Sequence, residues 1–184
     1  MAIKTFTTGE VLTASDTNTY LANSGLVFVK QTTIGSTVAS VPVTDAFSAT
    51  YDSYVILING GVGSATAENV GLQLGSTTTG YRDSAIGVST AGTVSGSYNN
   101  NTQTRFIIVG ASDPSGTIAR IELWNPFLAL NTFFESQMIR AGAHSHFKTF
   151  GSLANTTSYT GFTIIPGSGT LTGGNITVYG YRKG

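Results

Sequence analysis

The sequence has no cysteine, and charged residues make up only 10% of its 184 residues. Without cysteine the chain cannot form disulfides, thiolate metal sites or a thiol nucleophile. Globular proteins average about 25% charged residues, so neutral Ser, Thr and Asn side chains must cover much of this surface. Nine basic and nine acidic residues cancel, and zero net charge favours association because copies do not repel one another.

Two further absences exclude classes of partner. The only adjacent basic residues are Arg182 and Lys183, whereas nucleic-acid binding needs clustered cations. The apolar run from Tyr54 to Ile58 is the longest, and it is far shorter than the roughly 18 residues of a membrane-spanning helix. The residues before Thr7 contain no apolar export signal. We therefore expect no nucleic acid, no membrane insertion and no Sec export.

Sequence motifs of catalysis are also missing. The chain has no G-x-S-x-G elbow, P-loop, H-E-x-x-H motif or usefully spaced carboxylate pair. Residues 60 to 71, GGVGSATAENVG, begin like a phosphate loop but lead into a strand pattern, so we interpret them as a turn. The sequence predicts a non-enzymatic protein without a cofactor.

A few isolated residues leave alternatives open. His144 and His146 would share one face of a strand and could meet at a threefold axis as metal ligands, although exposed strand histidines are more often ordinary polar positions. Trp124 could stack on a sugar, but a single Trp that ends a strand is more often core or interface. Tyr179 and Tyr181 are compatible with an interface and with an ordinary sheet surface.

After Gly25 the hydrophobic period is two, and turn residues recur every 8 to 12 positions or so. We predict about nine or ten strands and an all-β domain over residues 26–184, an antiparallel sandwich. A jelly roll is the first choice and an immunoglobulin-like Greek key the second. Residues 51–60 and 67–75 are expected to pair as a hairpin, and so are 105–111 and 117–125. Residues 76–104 are predicted to be a long polar loop, because Ser, Thr, Gly and Asn dominate them.

The segment before Gly25 has a different pattern, with signals for the ends of a short helix. Thr13 can cap the start, Asp16 completes a capping box, and Gly25 suits a left-handed C-cap. Thr and Asn in the middle are poor helix formers, so the helix needs packing against something else. Residues 1–25 are therefore predicted to be an attachment segment with a short helix.

The stretch FTTGEVLTASDTNTYLANSG, residues 6–25, resembles the opening of tailed-bacteriophage virion proteins of the minor tail or tail-fibre-like kind. Their pattern reads Phe-Thr-x-Gly-Glu-Val-Leu-Thr-Ala-x-Asp-x-Asn-x-Tyr-Leu, and it matches from Phe6 to Leu21. DAFSATYDSYVILING, FFESQMIRAGA and TGGNITVYGYRKG are similar to the cores and final strand of these proteins.

The resemblance implies a structural component of the virion, assembled in the bacterial cytoplasm, frequently trimeric, and attached through its N-terminal segment to another virion protein. The expected attachment side chains are Phe6, Val11, Leu12, Tyr20 and Leu21. Two alternatives stay open: a trimeric decoration protein on the capsid, and a receptor-binding module. In the second case Tyr81 and Tyr98, within the polar tract, would contact host glycans.

Overall fold

The computed structural model describes residues 5–17, 25–140 and 145–183, and it is almost entirely antiparallel β structure. The all-β antiparallel fold predicted from the sequence is confirmed. Within the described ranges, thirteen strands replace the nine or ten expected. The elements are α1 (Ala14–Asp16), β1 (Leu26–Thr33), β2 (Val41–Val43), β3 (Tyr51–Gly63), β4 (Glu68–Leu74), β5 (Tyr81–Ser89), β6 (Val94–Gln103), β7 (Phe106–Asp113), β8 (Gly116–Trp124), β9 (Thr132–Arg140), β10 (Ser145–Leu153), β11 (Phe162–Pro166), β12 (Leu171–Thr172) and β13 (Asn175–Arg182).

Eight strands form the two layers of the sandwich. One layer has the order β1-β13-β3-β8 and the other has the order β2-β11-β4-β7. Numbered one to eight along the chain, these strands run 1-8-3-6 in one layer and 2-7-4-5 in the other. The first strand thus pairs with the last and the second with the seventh, which is the jelly-roll arrangement.

Two hairpins inserted into this framework extend the first layer. The pair β5 and β6 follows β4, and the pair β9 and β10 follows β8. Strand β9 pairs with β8, and β10 joins the two insertions by pairing with β5 over nine residues. The first layer therefore continues from β8 in the order β9-β10-β5-β6. We call these four added strands, β9, β10, β5 and β6, the extension.

Aromatic rings fill the space between the layers. Phe47 packs at 4.8 Å from Tyr54 of β3 and at 5.5 Å from Phe162 of β11, measured between ring centroids. Under the extension, Phe106 of β7 lies 4.2 Å from Phe134 and 4.8 Å from Tyr81. Burying each such side chain stabilises the fold by roughly 1.5–3 kcal/mol, so the same core supports both the framework and the extension.

Two local predictions were wrong. Residues 76–104 are not a long loop, because most of them form β5 and β6. The buried face of β5 consists of Tyr81, Asp83, Ala85 and Gly87. Because three of these four residues are small or polar, the strand lacks the alternation of large apolar and polar residues that normally predicts a strand. Strands β3 and β4 do not pair, since they lie in opposite layers. The predicted hairpin of β7 and β8 exists, but only over three residue pairs next to its turn.

The N-terminal segment contains one capped helical turn. The Thr13 hydroxyl accepts a hydrogen bond from the Asp16 N–H at 3.1 Å, and the Asp16 carboxylate accepts one from the Thr13 N–H at 3.1 Å. The predicted capping box is therefore present, but the helix in the described residues is only the three-residue α1. Gly25 has the expected left-handed φ of 84°, and the residues that would join it to α1 lie outside the described ranges.

Among the described residues, no helix is both long enough and apolar enough to cross a membrane.

Candidate functional site

The outward face of the extension is the most distinctive surface of the molecule. Along the sheet order β3-β8-β9-β10-β5-β6 every pair is antiparallel, and the register is continuous over the residues that form the following rows. One row is Leu57, Arg120, Gln137, Lys148, Ile86 and Gly96. The next row is Val55, Glu122, Glu135, Phe150, Ser84 and Tyr98, followed by Ser53, Trp124, Phe133, Ser152, Arg82 and Asn100.

An open groove of about 640 Å³ crosses this face. Its lining is mainly apolar, and Ile86, Val88, Ile118 and Ile139 all remain substantially exposed there. Single exposed apolar side chains are ordinary, but a cluster of them from three strands around one groove is typical of an interaction surface. The groove is therefore suited to contact with an apolar partner surface.

The charges on this face are arranged as local pairs. Arg120 contacts Glu122 at 2.8 Å, and Lys148 contacts Glu135 at 3.3 Å. All four side chains are partly exposed, so each pair contributes little to stability. Their effect is to leave the face without a dominant sign of charge, which suits a neutral partner better than an anionic one.

A second, shallower cleft of about 340 Å³ lies beside the groove, toward the edge strand. Its rim carries two exposed rings, with Tyr98 at 81% and Phe150 at 51% relative exposure. Arg82, Asn100 and Ser152 add polar groups to the same cleft. Exposed rings beside hydrogen-bonding side chains form a surface on which an amphipathic molecule can stack.

The structure overturns the prediction that Tyr81 contacts a glycan. Tyr81 is completely buried in the core. Its hydroxyl accepts a hydrogen bond from the Leu74 N–H at 2.9 Å and donates one to the Thr77 carbonyl at 3.2 Å. Burial raises the pKa of this phenol above its ordinary value. Tyr81 therefore anchors the extension to the opposite layer, while Tyr98 stays on the surface as expected.

Asp83 supports the face from below. Its side chain is buried, and its carboxylate accepts a hydrogen bond from the Ile107 N–H of β7 at 2.8 Å. Burial raises the pKa of this carboxyl, whereas the hydrogen bonds from Ile107 and Asn99 act in the opposite direction. Asp83 thus holds β5 against β7, with its side chain almost completely buried.

The other singled-out residues are dispersed. His146 lines the groove, while His144 lies outside the described residues, so their meeting stays a prediction. No three His, Asp or Glu side chains cluster as metal ligands in residues 5–17, 25–140 and 145–183. Trp124 is half-buried beside Phe133 in its row. Tyr179 packs edge-on against Phe28 at 6.1 Å.

The predicted attachment side chains are exposed wherever the structure describes them. Val11 is 79% exposed, Leu12 is 49% exposed and Phe6 is 40% exposed. Tyr20 and Leu21 lie outside the described residues.

No protein-family model, curated protein or solved structure matches the chain.

Sequence reasoning missed Phe133, Phe150, Ile86 and Ile139 as surface residues. A signal was present, because residues 133–140 and 145–153 carry large apolar side chains on both faces of their strands. In a strand with one solvated face, only every second residue is normally apolar. Large apolar residues at both odd and even positions of a strand therefore indicate that its outward face is also a contact surface.

Proposed function

We propose that this chain is a non-enzymatic structural subunit of a tailed-phage virion, a homotrimeric tail-fibre or minor tail component attached through its N-terminal segment. The observation that carries the proposal is the exposure of Val11 and Leu12, ahead of a compact sandwich. Two adjacent large apolar side chains that lie in water just before a short capped turn are unfavourably exposed. They are well placed to be buried in a neighbouring virion protein.

Energetics support this reading of the N-terminal segment. A helix of three residues is not stable on its own. Burying a Val or Leu side chain contributes roughly 1.5–3 kcal/mol, so docking both would offset much of the cost of ordering the segment. If the segment is buried against another protein of the particle, both the short helix and the exposed apolar side chains are explained.

The fold and composition support an architectural role. Jelly rolls are widely used in viral capsid proteins and in lectins. Zero net charge lets identical copies approach closely. Neither property requires catalysis.

The proposal is tested with Val11→Ser and Leu12→Ser combined in one chain, expressed in the phage that encodes it. We expect unchanged thermal unfolding of the purified chain but much lower incorporation into particles, measured by quantitative mass spectrometry of purified virions. Val62→Ser is the control, because Val62 is also an exposed apolar residue but lies on β3. Normal incorporation of the double variant would refute attachment through this segment.

Cryo-electron microscopy of the same particles decides the location. Density for the 184-residue chain on the tail, with threefold symmetry, is the expected result. Density repeated over the capsid lattice would replace the tail assignment with the decoration alternative.

Glycan binding is a second candidate function, favoured by the cleft between Tyr98 and Phe150. Stacking on exposed aromatic rings and hydrogen bonds to Arg82, Asn100 and Ser152 are the contacts that a sugar would need. Binding of the full chain to a host-envelope glycan array should be lost in Tyr98→Ala and Phe150→Ala. It should persist in Phe28→Ala, an exposed ring on β1 at the opposite edge. If the unmodified chain binds no glycan, this second function is rejected and only the architectural role remains.

A further inference from the structure

Strand β6 is the last strand of the extension and has an open edge. It pairs with β5 on one side and ends the strand order on the other. Its ten residues, VSGSYNNNTQ, include no charge and no proline. An edge of this length without such residues is a ready site for pairing with another strand.

Two other edge strands of the sandwich carry protection that the first part of β6, residues 94–100, lacks. The register irregularity of β6 lies beyond this part, between Asn100 and Gln103. Strand β1 contains Lys30 and an irregularity between Phe28 and Lys30, and β2 is three residues long with Pro42 at its centre. Charge, bulges, brevity and proline are the usual means of blocking strand addition. Of these three edge strands, β6 is therefore the most accessible to another strand.

The hydrogen bonding of the β5–β6 turn shows which backbone groups of β6 point outward. The Ser89 N–H donates to the Thr93 carbonyl at 3.0 Å, so Thr93 faces β5. Backbone direction alternates along a strand, so the N–H and C=O groups of Val94, Gly96 and Tyr98 face the open edge.

These residues are complementary to themselves. If two β6 strands pair antiparallel with Gly96 opposite Gly96, Val94 of each copy lies opposite Tyr98 of the other. Both side chains are exposed in the single chain, Val94 at 65% and Tyr98 at 81%. A cross-strand pair of an aromatic with a β-branched residue is favourable, by roughly 0.2–1 kcal/mol relative to two alanines.

We propose that β6 is a homotypic interface, at which two copies pair edge to edge about a two-fold axis through Gly96. The pairing joins the extensions of both copies into one continuous sheet and covers both open edges. It goes beyond the proposed attachment role, because it links two copies through a contact that the N-terminal segment does not supply. A threefold contact within a trimer would use other surfaces, and the β6 contact would then join neighbouring trimers.

A cysteine at position 96 reports the pairing directly, because the chain has no cysteine of its own. The nearest atom to a Cβ at Gly96 is the Ala85 carbonyl oxygen at 3.8 Å, so Gly96→Cys fits without strain. Residues opposite each other in a hydrogen-bonded pair have Cα atoms about 5.5 Å apart, within the range of a disulfide. In the proposed register Ser95 faces Ser97, so two copies of a cysteine at 95 would be too distant to bridge.

We expect the full-length Gly96→Cys chain to form a covalent dimer under mild oxidation, at least tenfold faster than the Ser95→Cys control. Non-reducing electrophoresis gives the rates, and circular dichroism checks that both variants fold. Equal rates for the two variants, or no dimer from Gly96→Cys, would overturn the proposal.

A charge exchange tests the register. Val94→Lys and Tyr98→Glu should each weaken dimerisation at least tenfold in sedimentation equilibrium, because a charge then faces an apolar side chain. The double variant should regain the dimer, since the introduced lysine of one copy then faces the introduced glutamate of the other. Within one chain these positions lie about 13 Å apart on the strand, so rescue requires the second copy. Unchanged dimer affinity in the single variants, or no rescue in the double variant, would refute this interface. It would also be refuted if β6 bound an unrelated extended peptide while the chain itself stayed monomeric.

Discussion

The hydroxyl of Tyr81 in β5 accepts a hydrogen bond from the backbone N–H of Leu74 in β4 at 2.9 Å. The two residues belong to opposite layers, and both are fully buried. Through this bond the inserted β5–β6 hairpin is fixed to the jelly-roll framework. The Tyr81 hydroxyl therefore contributes both to the stability of the fold and to the position of the strands that form the outward face.

Tyr81→Phe should destabilise the protein by about 1–3 kcal/mol, the usual cost of leaving a buried backbone N–H without its acceptor. Urea unfolding of the purified chain measures the change. Tyr98→Phe makes the same chemical change on the surface and should alter stability by less than about 0.5 kcal/mol. Equal effects at the two positions would show that the buried bond adds nothing.

The Asp83 carboxyl should make stability depend on pH. Burial raises its pKa in the folded state, so the folded protein binds a proton more readily than the unfolded chain. Its contribution is therefore most favourable below the unfolded value of about 3.9, and it declines as pH rises through the folded pKa.

Urea unfolding of the unmodified chain and of Asp83→Asn between pH 3.5 and pH 7 isolates this effect. The neutral amide does not titrate, so the stability difference should shift in favour of Asn as pH rises. The other titrating groups are common to both chains and cancel. A difference that stays constant across this range would contradict the raised pKa.

Gly151→Ala should destabilise the extension by about 1–3 kcal/mol through overpacking. A Cβ at this position would lie within 3 Å of the Phe134 ring and clash with the Arg82 carbonyl oxygen, which belongs to the backbone and cannot swing away. Gly96→Ala is the matched change on β6, where the nearest atom is 3.8 Å away. Thermal unfolding should therefore separate the two variants clearly.

The apolar groove should be detectable in solution. An apolar fluorescent dye that brightens away from water should bind the folded chain, and Ile86→Ser combined with Ile139→Ser should reduce that emission at least threefold. Val62→Ser, which removes an exposed apolar side chain outside the groove lining, should leave it unchanged. The same emission from all three chains would count against the groove.

Sequence alternation predicted most of the framework because its strands bury large side chains at every second position. In β4, for example, Val70, Leu72 and Leu74 are all fully buried. Pairing between distant strands could not be read in this way, and β3 and β4 were paired wrongly because alternation does not say which layer a strand joins. The β5–β6 hairpin escaped prediction because Asp83 and Gly87 occupy buried positions that are normally apolar.

The candidate surface was predictable only in part. Tyr98 was correctly placed outside, but Tyr81 was misplaced because an aromatic residue in a polar tract looks like a surface anchor. Phe150 contributes to the cleft only because β10 pairs with β5. That pairing joins residues 56 to 72 positions apart, and no local pattern encodes it.

The two inserted hairpins complete one another. Strand β10 has β9 on one side and β5 on the other, so removing either insertion would leave a bare edge in the middle of the face. The hairpins β5–β6 and β9–β10 therefore depend on one another. Anyone grafting this face onto another jelly roll must move both segments together, and loop exchange at one site alone would dismantle it.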